Sequence, residues 1–207
     1  MLAANALTTL ERMKLMLGLD DSADESTNMI VELLINRASS WVEQQLGRHL
    51  RRDTYRQWYP ADGQQELVTK EYPIVSVEFV KEDGRLVDPR RYDYGQTANI
   101  GVIYRDDGWL KAGYHGGLSY DQLATKRVIE VSYTAGYVLP KDATPEDPQT
   151  LPADLEGLIW DIVQQTYANM QNGSQGLKSF SISDVRWDFD KSVQPSWLQV
   201  INLYRRY

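Results

Sequence analysis

Apolar residues recur every three or four positions in two N-terminal stretches, which is the spacing that places side chains on one face of an α-helix. The first stretch carries the capping-box pattern Thr8-Thr9-Leu10-Glu11 and stops at Gly18. The second follows another such box, Ser22-Ala23-Asp24-Glu25, and runs for about six turns to Gly47. Its apolar stripe consists of Val31, Leu34, Ile35, Ala38, Val42 and Leu46, and Ile30, Leu33 and Trp41 are predicted to widen that face.

Between residues 49 and 137 the pattern changes to short runs rich in β-branched and aromatic residues. These runs cover residues 55–59, 74–80, 101–104 and 128–133, with turn-forming clusters between them. Gly108 follows two aspartates and is predicted to form a tight turn, because Asp-Gly accommodates the positive φ that such turns need. The segment is therefore predicted to be an antiparallel β region.

The C-terminal third returns to helical spacing. Residues 139–152 contain four prolines and are predicted to be an exposed connector. Residues 155–170 then show the strongest helical period in the chain, and Gly157 within them predicts close packing against another helix. Residues 181–190 alternate weakly, as in a strand or an extended arm, and Pro195 opens a last helix through residue 204.

These elements predict an α+β protein with a helical bundle core of about four helices. A large antiparallel β insertion is expected between helix 2 and helix 3. Residues 1–48 form the N-terminal helices, residues 49–138 form the β insertion, and residues 139–207 form the C-terminal helices and an extended arm that complete the helical core.

Composition narrows the possible classes of function. The 207 residues are 42% hydrophobic, which is enough for a substantial core, and the chain has no cysteine, which excludes disulfides and thiolate chemistry. The apolar runs are too short for a membrane span, and the N-terminus lacks a signal-peptide pattern, so synthesis in the cytoplasm is expected.

The net charge of −7 opposes non-specific nucleic-acid binding. Two arginine clusters, at residues 48–56 and 85–91, are interpreted as surface charges or protein contacts.

No segment has the layout of a catalytic, metal or cofactor site. His49 and His115 are far apart and have no triad or ligand spacing around them. Residues 20–25 lack the glycine and glutamate of a calcium loop, and residues 113–117 lack the Lys-Ser/Thr of a phosphate loop. Asp106 and Asp107 are interpreted as turn residues and not as a glycosidase carboxylate pair. The chain is therefore predicted not to be an enzyme and to have no cofactor.

Aromatic residues of the β region support an alternative, a platform that binds glycans or an extended peptide. Packing of the sheet core also accounts for most of them. The series consists of Trp58, Tyr59, Tyr92, Tyr94, Tyr104, Trp109, Tyr114 and Tyr120.

The order of short motifs along the chain resembles the head-tail connector proteins of tailed bacteriophages, also called adaptor or head-completion proteins. The resemblance covers nearly the whole chain, and it rests on the order and spacing of the motifs. The matching positions are Gly47 and Arg48, residues 133–137, residues 151–155, Tyr167, residues 176–179, residues 182–184 and residues 204–206.

The resemblance implies a structural virion protein of the phage neck, made in the host cytoplasm and placed at the head-tail junction. Such proteins form a ring that docks on the portal, joins the DNA-filled head to the tail and helps to retain the genome. The implied partners are the portal protein, neighbouring copies in a dodecameric ring, and a tail or tail-completion protein. DNA would pass through the channel without sequence-specific binding, and no membrane is involved.

In that family, the C-terminal arm and the loops between elements tend to reach the portal or the neighbouring subunits. The corresponding parts of this chain are residues 173–190 and the last helix. The candidate contact residues are Leu177, Lys178, Phe180, Ile182, Trp187, Phe189, Trp197, Tyr204, Arg205 and Arg206. Shorter members of the family lack a segment like residues 49–137, so the resemblance assigns no role to the β insertion.

Overall fold

The computed structural model describes residues 1–20, 24–111, 127–171, 179–182, 185–188 and 194–206. The chain divides into two compact units. The helical unit comprises Met1–Gly47 and Val138–Tyr207, and the β unit comprises Arg48–Tyr137. The predicted α+β class is confirmed: the described residues contain four α-helices, and an antiparallel sheet is inserted between the second and the third of them.

Helix α1 (Leu10–Leu17) begins one residue later than the capping-box pattern predicted. Its N-cap is Thr9, whose hydroxyl accepts a hydrogen bond from the Arg12 N–H at 3.3 Å. The Thr8 hydroxyl donates instead to the Glu156 carboxylate at 2.9 Å, so it does not cap the helix. Gly18 ends α1 in the left-handed conformation (φ 66°), as predicted.

Helix α2 (Glu25–Leu46) has the predicted length and the predicted end at Gly47. Asp24 caps it by accepting a hydrogen bond from the Thr27 N–H at 2.8 Å. The predicted apolar stripe is confirmed, since its six members are buried: Val31, Leu34, Ile35, Ala38, Val42 and Leu46.

The β unit is built on a four-stranded antiparallel sheet in the order β1-β6-β3-β4. A tight turn at Asp83 (φ 48°) and Gly84 (φ 76°) joins β3 to β4. A second, two-stranded sheet pairs β2 with β5. The strands are β1 (Asp53–Pro60), β2 (Glu66–Val68), β3 (Ile74–Glu82), β4 (Arg85–Leu86), β5 (Val102–Tyr104) and β6 (Arg127–Ala135).

Strand β6 supplies the centre of the core of the β unit. Ile129, Val131, Tyr133 and Ala135 alternate along it and are buried in one cluster, because successive side chains of a strand point to opposite faces. The same cluster contains Trp109, which follows the predicted tight turn at Gly108 (φ 76°).

The two ends of the β unit are hydrogen-bonded to each other. The Tyr137 N–H donates to the Leu50 carbonyl at 2.7 Å, and the Arg52 N–H donates to the Tyr137 carbonyl at 2.8 Å. Gly136 lies between these bonds with φ 103°. A Cβ atom at this position would lie 2.6 Å from the Arg51 carbonyl oxygen, so the close approach requires glycine.

The proline-rich connector of the helical unit is only partly exposed, contrary to the prediction. Residues 143–148 are exposed, but Leu139 and Leu151 near its two ends are buried. The Val138 N–H donates to the Thr150 hydroxyl at 2.8 Å, and the Val138 carbonyl accepts hydrogen bonds from the N–H groups of Thr150 and Leu151. The connector is therefore a loop whose ends are fixed by hydrogen bonds and apolar burial.

Helix α3 (Ala153–Gln171) buries Leu155, Leu158, Ile159 and Val163 and contacts α1 and α2. The predicted close packing at Gly157 is wrong, because a Cβ atom built there meets nothing within 4 Å. Gly157 lies roughly opposite the buried stripe, since successive residues of a helix are about 100° apart.

Helix α4 (Pro195–Tyr204) has the predicted bounds and contacts α2 and α3. Before it, β7 (Ser179–Ile182) and β8 (Val185–Asp188) form an antiparallel pair in which Phe180 is opposite Trp187. The weak alternation predicted for residues 181–190 therefore corresponds to a pair of strands that starts slightly earlier. None of the helices described here is long and apolar enough to span a membrane.

Candidate assembly interface

Helix α4 contains two of the predicted contact residues, Trp197 and Tyr204, which attach it to its own unit, and two more, Arg205 and Arg206, follow it directly. The Trp197 ring packs edge-on against Trp41 of α2, with ring centroids 6.3 Å apart and planes at 69°. The Tyr204 hydroxyl donates to the Asp154 carboxylate of α3 at 2.6 Å. Both side chains are partly exposed, so these contacts leave part of their surface accessible.

Arg205 fixes the C-terminal end of α4 to the end of α2. Its Nε donates to the Gln45 carbonyl oxygen at 3.0 Å, and its Nη2 donates to the same oxygen. A cation beside the last carbonyl groups of a helix also stabilises the helix dipole. Arg206, the fourth predicted contact residue of this segment, is half-buried.

The outer side of α4 is uncharged. The ten residues Pro195–Tyr204 contain no ionisable side chain apart from the Tyr204 phenol, and Ile201 is the buried residue of this helix. Leu198 is 41% exposed and Leu203 is 76% exposed. The two leucines are five residues apart and project about 140° apart around the helix, so they do not form one apolar patch. The other exposed side chains of this helix include Ser196, Gln199 and Asn202.

An apolar surface lies on the first half of α2 and corrects a prediction. Ile30 and Leu33 were expected to widen the core face, but Ile30 is 36% and Leu33 is 61% exposed, and Met29 beside them is 56% exposed. Met29 and Leu33 project from roughly the opposite side of the helix to the buried stripe. Trp41, the third residue of that prediction, is half-buried against Trp197.

Both surfaces left a signal in the sequence. The apolar residues of α2 occupy more of the helix circumference than one core-facing stripe needs, and α4 lacks any Asp, Glu, Lys or Arg. The first feature was predicted to belong to the core, and the lack of charge on α4 entered no prediction.

The helical unit is held together by a buried carboxylate at the start of α3. Glu156 is 3% exposed and accepts hydrogen bonds from the Thr8 hydroxyl at 2.9 Å and from Nη1 of Arg12 at 2.9 Å. The Gln149 amide of the connector donates to the same carboxylate at 3.0 Å. The Trp160 indole N–H completes the network by donating to Thr8 at 2.9 Å. This arrangement explains how α1, the connector and α3 are positioned, and it satisfies the buried charge.

In the β unit, Asp107 of the predicted turn is held by two arginines. Asp107 accepts hydrogen bonds from Nε of Arg105 at 2.6 Å and from Arg91. These contacts, chiefly that with Arg105, lower the pKa of Asp107 to about 2, so this carboxyl is ionised at neutral pH and is not a general acid. Arg105 also donates to Glu82 at 2.8 Å.

The arginine clusters of the β unit also make contacts with protein. Arg48 is 4% exposed, with its guanidinium 3.6 Å from the centre of the Tyr72 ring. Arg56 pairs with Glu130, and Arg90 pairs with Asp88 at 2.6 Å. These contacts agree with the interpretation of the arginines as surface charges or protein contacts.

The aromatic series of the β unit serves mainly the core. Trp109 is buried, and Tyr59, Tyr92 and Tyr94 pack against the same core cluster. Trp58 is 46% exposed and lies beside Arg56, at 5.5 Å from the ring centre. Tyr114 and Tyr120 lie outside the described residues, as do His115 and the glycines at 113, 116 and 117.

The remaining predicted contact residues precede α4. Leu177, Lys178 and Phe189 lie outside the described residues. Phe180 and Ile182 are on β7, and Trp187 is on β8.

Comparison with known proteins gives one family and several solved structures. The model of the family described as "Head completion protein" matches residues 6–207. No curated protein sequence matches the chain significantly. Among solved structures, a chain in the neck of an empty gene transfer agent (GTA) particle, computed with C6 symmetry, has a TM-score of 0.57 at 13% identity. Chains in the virion of the native GTA particle and in its neck, computed with C12 symmetry, each have a TM-score of 0.53 at 13% identity. Each alignment covers 100% of this chain and 93% of the other.

Proposed function

The chain belongs to the head completion protein family, and we propose that it forms a ring that docks on the portal of a phage-like particle and continues the DNA channel toward the tail. It is a structural protein of the virion neck, where the head is joined to the tail. The observation that carries this conclusion is the family match over residues 6–207, which includes both units of the chain.

The fold supports the proposal of a ring. Chains of this fold occur in necks computed with C6 and C12 symmetry, and the alignment spans the whole of this chain. A head-to-tail ring needs unlike patches toward the two neighbours of each copy, and the exposed apolar residues Met29, Ile30 and Leu33 of α2 supply one such patch. We therefore propose a dodecamer when the chain is assembled on the portal.

The distribution of charge supports a passage for DNA. The helical unit contains 16 acidic and 9 basic side chains, and the β unit contains 13 of each, so the net charge of −7 belongs to the helical unit. A negative surface repels phosphate and lets DNA pass without adhering. We propose that the ring holds the genome in place through its fit to the portal and to a tail-completion protein, and not through contacts with bases.

The portal contacts are proposed to come mainly from the segment before α4. Its candidate residues are Leu177, Lys178, Phe180, Ile182, Trp187 and Phe189. Trp197, Tyr204 and Arg205 hold α4 on the helical unit in the free chain, and their exposed parts, with Arg206, are proposed to complete the contact.

Withholding the chain from particle assembly tests the role in the neck. We expect DNA-filled heads without tails, which lose their DNA to added nuclease, and electron microscopy with a DNA-protection assay would measure both effects. Supplying the chain in trans should restore tailed particles. Normal tailed particles in the absence of the chain would reject the proposed function.

Cross-linking mass spectrometry on intact particles tests the docking surface. An amine-reactive reagent should link Lys178 to the portal protein. In the Lys178→Arg variant this link should disappear while tail attachment is retained, since arginine keeps the charge but lacks the reactive amine. Links from Lys178 to tail components alone would show that the arm faces the opposite side of the ring.

A further inference from the structure

The further inference concerns how neighbouring copies of this chain are joined, and it rests on the proposed ring. Among the described strands, β1 (Asp53–Pro60) pairs only with β6, and β8 (Val185–Asp188) pairs only with β7. Each of these two strands therefore has one edge that forms no ladder within the described part of the chain. An unpaired strand edge presents a row of N–H and carbonyl groups that can bind another strand.

The hydrogen bonds of β6 show which of its residues face β1. The Gly136 N–H donates to the Pro73 carbonyl at 2.9 Å, and the Asp83 N–H donates to the Val128 carbonyl at 3.1 Å. Both bonds are directed toward β3 and its ends. Backbone groups of successive strand residues point to opposite sides, so the even-numbered residues of β6 face β3 and the odd-numbered residues face β1.

The open edge of β1 is therefore formed by its even-numbered residues. From residue 53 to residue 59, the register places each odd-numbered residue of β1 opposite an odd-numbered residue of β6. The Thr54 N–H, which faces outward, donates to the Asp53 side chain at 2.8 Å. The outward backbone groups of Arg56 and Trp58 make no hydrogen bond to any other described residue, and both residues are exposed.

The outer edge of β8 follows from the pairing of β7 with β8. Ile182 is opposite Val185 with two residues between them, which is the spacing of a β-turn. In such a turn the fourth residue donates its N–H to the carbonyl of the first, so Val185 faces β7, and Arg186 and Asp188 face outward. A two-stranded hairpin is only marginally stable alone in water, and a third strand stabilises it.

Charge selects one register between the two edges. Residues that lie opposite each other in an antiparallel pair share one face of the sheet. When Asp188 is opposite Arg56, Arg186 is opposite Trp58, which gives one pair of opposite charges and one cation beside an indole ring. The neighbouring register places Arg186 opposite Arg56, and these like charges repel each other. In the favoured register, the apolar residues of β8 fall on the core-facing side of the sheet.

The segments that flank the hairpin are long enough for it to reach another copy. Six residues, 189–194, separate β8 from α4, and seven residues, 172–178, separate α3 from β7. A chain spans at most about 3.3 Å per residue, so β8 can lie up to about 23 Å from the start of α4. Two β1 edges would form a two-fold contact that closes after two copies, whereas β8 on β1 is a heterologous contact that repeats around a ring.

We propose that β8 of one subunit adds to the β1 edge of the next as a further antiparallel strand, and that repetition of this contact joins the subunits of the ring. The contact gives the β unit a role in assembly. Strand β7 and the residues that flank the hairpin remain available for the proposed contacts with the portal.

Mixed single-cysteine variants test this contact, because the chain has no cysteine of its own. Particles are assembled from equal amounts of Arg56→Cys and Asp188→Cys chains and are treated with a mild oxidant. Opposite residues with outward groups have Cα atoms about 5.5 Å apart, which suits a disulfide. We expect covalent dimers that contain one chain of each kind, and none from either variant alone. Val75→Cys, exposed on β3 and two strands away from β1, is the matched control for Arg56→Cys and should give no dimer.

A proline in the edge provides an independent readout. Trp58→Pro removes an outward N–H that strand addition needs, but β1 stays bonded to β6, since edge strands tolerate proline at outward positions. We expect this chain to enter particles about thirtyfold less often, because a hydrogen bond and a ring contact are lost. Trp58→Thr keeps the N–H and is the matched control, with a loss of no more than about threefold. Melting temperatures of both variants show whether each chain is folded, and the disulfide test decides alone if Trp58→Pro is not.

The outcomes separate the contact from the function. If the unmodified chain is found in necks but the mixture gives no dimers and Trp58→Pro enters normally, this contact is wrong and the neck role stands. Dimers of Arg56→Cys with itself would show a two-fold contact between β1 edges. A disulfide within one Arg56→Cys/Asp188→Cys chain would show that the hairpin binds its own β1. Either result would overturn the proposal. Absence of the unmodified chain from particles would reject both the contact and the function.

Discussion

Tyr133 and Gly136 belong to the same short motif, and each has a task inside the β unit. The Tyr133 hydroxyl is buried, donates to the Gln57 side chain at 2.7 Å and accepts from the Glu71 N–H at 3.1 Å. Because Gly136 has no side chain, its backbone can pack directly against the Arg51 carbonyl group. The residues by which the sequence resembles its family therefore include positions that maintain the fold, and these are distinct from the proposed docking residues.

The Gly136→Ala substitution is expected to lower the free energy of unfolding by about 3 kcal/mol, since it combines a positive φ with a backbone clash. Gly84→Ala is the matched control, because its φ is 76° but a Cβ atom there meets nothing within 4 Å. That control should lose only about 1 kcal/mol. Urea unfolding would measure both values, and equal losses would show that the clash is relieved by movement of the backbone.

Tyr133 should make the stability of the β unit depend on pH in the alkaline range. Burial, together with the hydrogen bond to Tyr59, raises the pKa of Tyr133 above its ordinary value of 10.0. As the pH rises above 10, the unfolded chain releases a proton that the folded chain keeps. The free energy of unfolding should then fall by about 1.4 kcal/mol per pH unit, and below pH 10 this group should contribute no slope.

Denaturant unfolding between pH 8 and about pH 11 would measure that slope. The Tyr133→Phe chain should start from a lower stability, because Gln57 and Glu71 lose a hydrogen-bond partner, but its stability should decline less steeply. An identical slope in the two chains would assign the alkaline loss to other groups.

At the scale of elements, packing and polar contacts play different parts in the helical unit. The apolar stripes of α2 and α3 supply the buried area, whereas Glu156 determines where α1 and the connector lie against α3. α4 is attached by the buried Ile201, by the ring contact between Trp197 and Trp41, and by hydrogen bonds of Tyr204 and Arg205. This division suits a subunit in which the core must be stable before assembly and the last helix remains available to a neighbour.

Replacing Glu156 by glutamine is expected to destabilise the helical unit by about 2 to 3 kcal/mol, since the amide nitrogen would face the donors of Thr8 and Arg12. Glu11→Gln, an exposed change in the first turn of α1, is the control and should alter stability by less than about 0.5 kcal/mol. Thermal unfolding of both chains would provide the comparison. If the Glu156→Gln chain lost only about 0.5 kcal/mol of unfolding free energy, water would be able to replace the hydrogen bonds that Glu156 accepts.

At the scale of the whole molecule, the chain combines an acidic helical unit with a β unit of balanced charge. The β unit begins and ends at neighbouring points, because Leu50 and Arg52 are hydrogen-bonded to Tyr137. Such an arrangement allows a segment to be inserted into a helical core with little constraint on the host.

We expect residues 48–137 to fold as an isolated fragment, because the core cluster and the closing hydrogen bonds of the β unit lie within it. Near-ultraviolet circular dichroism should show the signal of buried Trp109 and Tyr133, and urea should unfold the fragment in one cooperative transition. The Gly136→Ala fragment is the control and should lose this signal or unfold at lower urea. A disordered native fragment would show that the β unit depends on the rest of the chain.

The sequence by itself determined the elements whose signals are local. The end of α2 at Gly47, the bounds of α4, the turn at Gly108 and the buried stripe of α2 follow from helix-terminating residues, glycine conformation and a repeat of three to four residues, whereas the N-cap of α2 is Asp24 and not Ser22 of the predicted capping box. The tertiary structure decided which apolar faces are covered and which distant segments pair. Ile30, Leu33 and Gly157 were assigned to packed faces, yet Ile30 is 36% and Leu33 is 61% exposed, and no described atom lies within 4 Å of a Cβ built at Gly157. β6 lies between β1 and β3 although it follows both in sequence. Periodicity shows on which face of its own helix or strand an apolar side chain lies. Burial of that side chain depends on whether another element packs against the same face.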